Sequence, residues 1–170
     1  MRGLAVIADW IDRMIAAVGR AAAWLALAVV LLQFGVVLLR YVFGAGSIWL
    51  QETVGYAHAG LFMLAAAWTL AMGGHVRVDI FYERASPRQK AWIDLIGTLL
   101  FLLPFMTALL VLSIPYVARS WTIFEGSREA SGLPFVFVLK TLIPLFAGLM
   151  LLQGAAIAIR AGLTLTAGRR

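Results

Sequence analysis

Uncharged runs separated by short polar stretches pattern this chain. The run from Ala21 to Leu39 carries no charge and is closed by Arg20 and Arg40. A second run enters at Glu52 and reaches His75, with only Tyr56 and His58 as titratable side chains inside it. It ends at Gly73-Gly74, a pair that can stop a helix. A third starts at Pro87 and continues towards Trp121, and a fourth runs from about Pro134 to Ile159, where Arg160 closes it. At about 1.5 Å per helical residue, each can cross a hydrocarbon core about 30 Å thick. The pattern predicts an all-α membrane protein with four transmembrane helices, at about residues 21–43, 50–73, 87–120 and 134–160. Residues 1–170 then form a single four-helix membrane domain, with 1–20 as an N-terminal amphipathic segment.

In that segment Leu4, Ile7, Ile11, Met14, Ile15 and Val18 recur at helical spacing, with Arg2, Asp9, Asp12, Arg13 and Arg20 between them. Such a piece lies on the membrane surface or extends the first span. Acids in the segment and the length of the following apolar run argue against a cleaved signal peptide.

Between the first two spans the turn Ala45-Gly46-Ser47 is short enough to make them antiparallel neighbours. Ser86-Pro87-Arg88-Gln89 reads as a helix start, with Ser as cap, Pro at the first helical position and Gln three residues after the cap. Pro104 and Pro115 each remove a backbone donor and are expected to kink the third helix. Gly126, Ser127, Ser131, Gly132 and Pro134 mark turns in the most polar loop, between Arg119 and Lys140. Gly55 with Ala59, and Gly154 with Ala158, place small residues four apart, the spacing that lets helices approach closely in lipid.

Composition agrees with the pattern. The chain is 63% hydrophobic and 13% charged, against about 25% charged for a soluble domain. With no cysteine, disulfides, thiolate metal ligation and thiol nucleophiles are excluded. A net charge of +6 reflects topology, not nucleic-acid binding. Arg2, Arg13, Arg20, Arg77, Arg84, Arg88, Lys90, Arg160, Arg169 and Arg170 fall on one side, leaving Arg40, Arg119, Arg128 and Lys140 on the other. The positive-inside rule then places both termini in the cytoplasm.

Candidate chemistry is sparse. No acid or base lies in the middle of the first, third or fourth span, where an ion-coupled carrier needs one, so neither a catalytic nor a metal site is expected. His58 and His75 share one helix about 25 Å apart and cannot be the two axial ligands of one haem. His58 alone could pair with a partner subunit, in a haem-ligating anchor of an electron-transfer complex. Otherwise it is a hydrogen-bonded polar group in a helix interface. His75 is expected to cap carbonyls left open at Gly73-Gly74. Arg40 and Glu52, at adjacent helix ends, form a salt bridge or are hydrated separately. Arg77 and Asp79 lock a register or act only as topology signals. Trp24, Trp49, Trp92 and Trp121 fall at interfaces, whereas Trp68 is placed to pack.

Arg40-Tyr41-Val42-Phe43, then Trp49 and Glu52, then Gly74-His75-Val76-Arg77-Val78-Asp79, resemble the small membrane subunit of tripartite ATP-independent periplasmic (TRAP) transporters, the DctQ-like family. The resemblance covers nearly the whole chain, including the loop with Glu125-Gly126-Ser127 and Gly132-Leu133-Pro134. Gln51 departs from it, standing where many relatives carry an acid beside Glu52. The resemblance implies a non-enzymatic, cofactor-free scaffold in the bacterial inner membrane, surrounded by lipid. It would bind a large multi-span subunit that imports organic acids with sodium ions. A periplasmic substrate-binding protein would deliver the substrate, and Glu125, Arg128 and Glu129 are candidates for docking it.

Overall fold

A computed structural model of the chain describes residues 2–75 and 82–167. Among the described residues there are four helices long and apolar enough to cross a membrane: α1 (Arg2–Tyr41), α2 (Ile48–Ala71), α3 (Pro87–Thr122) and α4 (Val136–Ala167). No strand occurs among the described residues.

Residues 2–20 do not form a separate surface helix. They continue into the first span as one helix of 40 residues, about 60 Å long. Packing explains the continuity. Ala8, Ile11, Ile15, Gly19 and Ala22 line one buried face. Ala8, Ile11 and Ile15 join Ala67, Met106, Met150 and Ala156 in the core. The apolar stripe of the N-terminal segment therefore meets protein. Its acids are used as well: Arg160 Nη2 donates to Asp9 Oδ1 at 2.9 Å and to Asp12 Oδ2. Buried Gln153 donates to Asp12 Oδ1 at 3.0 Å.

The bundle is not closed. α4 packs against each of the other three helices, and α1 packs along α2. Between the end of α2 and the start of α3 an open cleft of about 580 Å³ remains, with Leu70, His75, Tyr82, Asp94 and Ile157 in its lining. Glycine permits the closest approaches. A methyl at Gly19 would overlap the Trp68 side chain, one at Gly60 would lie 3.1 Å from Leu25 Cδ1, and one at Gly154 would lie 2.9 Å from Leu102 Cδ2. Trp68 thus packs between helices, as its interior position predicted.

Helix ends follow local chemistry. The amides of Gly73 and Gly74 donate to Leu70 O at 3.0 Å and Thr69 O at 2.8 Å, with Gly73 at φ +68°. The backbone satisfies these two carbonyls itself. Ser86 and Gln89 form the predicted capping box at the start of α3. One turn before Pro104, residues Thr98–Leu102 open into a π-helical turn in which Leu103 N donates to Thr98 O. The proline ring crowds the preceding turn and lacks an N–H, and widening that turn accommodates it. Pro115 lies inside α3 without interrupting the helix.

Candidate functional site: a loop clasped by Glu52

The loop between α3 and α4 is held from two directions. Glu52, one turn into α2, spans to it with both carboxylate oxygens. Oε1 accepts from the Ser127 hydroxyl and Oε2 accepts from Leu133 N at 2.6 Å. Ser127 N donates to Leu133 O at 2.9 Å, which closes the loop on itself. Ser127 Oγ also accepts from Glu129 N at 3.1 Å. Room for the clasp comes from Gly132, where a methyl would strike the Ser127 side chain and lie 2.8 Å from Glu52 Oε1.

The second hold is Glu125. Its Oε2 accepts from Ser120 Oγ at 2.7 Å and from Lys140 Nζ. These donors favour the ionised carboxylate, Lys140 most strongly, and keep its pKa below the ordinary 4.5. Lys140 also lies 4.2 Å from the centre of the Tyr116 ring, a cation–π contact. Phe124 makes the bend with φ +46°, a left-handed conformation that costs about 1–2 kcal/mol for a residue with a Cβ. Its ring packs edge-on against Phe137 at 5.6 Å, and Trp121 meets the same ring at 4.6 Å. Trp121 Nε1 further donates to Thr141 Oγ1 at 2.9 Å.

The residues singled out from sequence fall into distinct places. Glu52 is at the centre of the clasp, and its carboxylate is taken by Ser127 and Leu133 rather than by Arg40. Arg40 is exposed and lines a small groove with Gln33, Tyr41 and Gln51. Tyr41 and Trp49 are 80% and 53% exposed, at the turn joining α1 to α2. Arg77 and Asp79 lie outside the described residues. His75 lines the cleft between α2 and α3, and His58 is exposed on α2.

Of the small residues proposed for packing, Gly154 is buried against α3, and Ala158 is half-buried on α4. Ala59 is half-buried on α2. Gly55 faces open space, and the close contact on α2 is made by Gly60, five residues on and so on a different face of the helix. Among the docking candidates, Arg128 and Glu129 are exposed on the loop, whereas Glu125 is committed internally.

Sequence reasoning missed several contributors, and two left a signal. Lys140 stands inside an apolar span, where a charge requires a counter-charge nearby. Asp9 and Asp12, three apart on one helix face, similarly anticipate a shared cation.

Among the described residues no group of three or more His, Cys, Asp or Glu side chains is placed to hold a metal ion. The site consists of hydrogen bonds that shape a loop at one end of four membrane-spanning helices. Comparison with known proteins places this arrangement. Residues 28–163 match the family described as tripartite ATP-independent periplasmic transporters, DctQ component. This chain belongs to the DctQ family. It is thereby a small membrane component of a TRAP transporter, a transporter family and not an enzyme family. The DctQ match spans the end of α1, all of α2 and α3, the clasped loop and nearly all of α4. No curated protein and no solved structure gave a match.

Proposed function

We propose that this DctQ-family chain is the fixed scaffold of a sodium-coupled, binding-protein-dependent importer of organic acids. It binds and steadies a large transport subunit in the bacterial inner membrane. The observation that carries the reading is the family match over four helices long and apolar enough to span a membrane. Asp9, Asp12, Glu52 and Glu125 each have a hydrogen-bonding partner within the chain. Helices about 36–60 Å long, with exposed tryptophans at Trp24, Trp49, Trp92 and Trp121, suit a body that resists tilting beside a moving neighbour.

Both termini are cytoplasmic in this reading, on the strength of the basic-residue distribution, and the loop clasped by Glu52 faces the periplasm. There Arg128 and Glu129 offer exposed charges to the binding protein, while Glu125 shapes the loop from within. The family match favours a transporter component over the haem-ligating anchor that His58 could otherwise serve.

Uptake tests the scaffold role. The large subunit is reconstituted in liposomes with and without this chain, with an inward sodium gradient and a binding protein loaded with an organic acid. Uptake is expected only from the pair. Uptake at full rate by the large subunit alone would refute the scaffold role.

A further inference from the structure

We propose that the outward face of the α1–α2 hairpin, carrying Gln33, Gln51, Gly55 and His58, is the surface on which a transmembrane helix of the large subunit seats. The proposal rests on the scaffold reading and assigns it a face.

Ile48, Gln51, Gly55, His58 and Phe62 recur at helical spacing on α2, and all five are exposed. His58 lies six residues beyond Glu52, about 9 Å along the helix, and so within the hydrocarbon. On α1, Gln33 lies seven residues short of Arg40, at about 10 Å by the same rise, and is also exposed. Gln33 and Gln51 line one groove together with Val36, Val37, Arg40 and Tyr41, so the two helices share an exposed surface that sets polar side chains among apolar ones. No side-chain hydrogen bond joins Gln33, Gln51 or His58 to another described residue.

Lipid tails cannot satisfy an amide or an imidazole, and each such group left unpaired in hydrocarbon is costly. Whatever covers this face must offer donors and acceptors at the depth of Gln33 and His58, which a neighbouring spanning helix does. Gly55, with open space above its backbone, lets that helix come close. The opposite flank gives the contrast. Exposed positions on α3 include Leu100, Phe101, Phe105 and Leu112, large apolar side chains suited to lipid.

The chain contains no cysteine, so single cysteines report position cleanly. Gly55→Cys and His58→Cys on the proposed face, and Phe101→Cys and Leu112→Cys on α3, are each co-expressed with the large subunit. Each is labelled with a thiol-reactive photocrosslinker in membranes and illuminated. The expected result is a hetero-adduct of the two subunits from Gly55→Cys and His58→Cys and none from the α3 pair. Hetero-adducts from α3 alone overturn the face while leaving the scaffold role standing. Adducts between two copies of this chain from Gly55→Cys, or a haem band lost in His58→Ala, overturn it in favour of another occupant. Absence of any complex in membranes overturns both readings. As a second readout, Gly55→Trp is expected to abolish co-purification while the isolated chain keeps the wild-type elution volume. Retained co-purification overturns the proposal.

Discussion

At the scale of residues, Glu52 has the widest reach. Its two acceptor oxygens meet donors 75 and 81 positions away in the chain, and no local pattern announces such a pairing. The sequence pointed instead to Arg40, a near neighbour of opposite charge, since only spacing and charge were readable. The clasp predicts protease sensitivity. Glu52→Gln keeps the shape but removes the charge and leaves one acceptor oxygen where the clasp uses two, and Gly132→Ala fills the space the clasp needs. In detergent, both variants are expected to be cut by trypsin at Arg128 several-fold faster than wild type, which a timed digest reads directly. Unchanged cleavage would mean that the loop holds its shape without Glu52.

Glu125 adds a pH dependence whose direction follows from its depressed pKa. A carboxylate ionised more readily in the folded state contributes stability above its ordinary value of 4.5. That contribution is lost as pH falls below 4.5 and through the lower folded value. Melting curves between pH 7 and pH 3 are expected to show a wild-type decline in that acidic window that Glu125→Gln lessens. A variant with the same pH profile would remove the Glu125–Lys140 pair from the account.

At the scale of elements, the spans were legible because uncharged runs and their bounding arginines are local signals. The capping box at Ser86 was legible for the same reason. For the N-terminal segment the sequence left two placements open, on the membrane surface or as an extension of the first span, and the structure has the second. Whether an amphipathic stripe meets lipid or protein depends on what packs against it, and here Ala67, Met150 and Ala156 come from distant parts of the chain. Small residues behaved likewise. Spacing marked Gly55 on α2, but the tertiary contact belongs to Gly60, because the helix turns that flank towards α1. The two classes of glycine separate experimentally. Gly19→Val and Gly154→Val overpack helix contacts and are expected to destabilise the isolated chain by about 1–3 kcal/mol. Gly55→Val should leave its melting in detergent unchanged and weaken only the complex. Equal losses at all three positions would show that Gly55 packs within the chain.

At the scale of the whole molecule, α4 gathers the other helices, a polar lock joins Asp9 and Asp12 to Arg160, and the clasped loop closes the far end. In the proposed scaffold role this body is the fixed frame, and the flank carrying Gln33 and His58 is the one offered to the large subunit. The sequence announced the partner class through family resemblance, whereas the flank became visible only when burial separated Gln33 and His58 from the packed positions. The most direct test of the central claim is the mass and spectrum of the particle this chain forms. Tagged and co-expressed with the large multi-span subunit, it is purified in detergent and passed through size exclusion with light scattering and a visible absorbance trace. A colourless, stoichiometric hetero-complex with that subunit is the expected result. A chain that elutes without the large subunit, or carries a haem band, would contradict it.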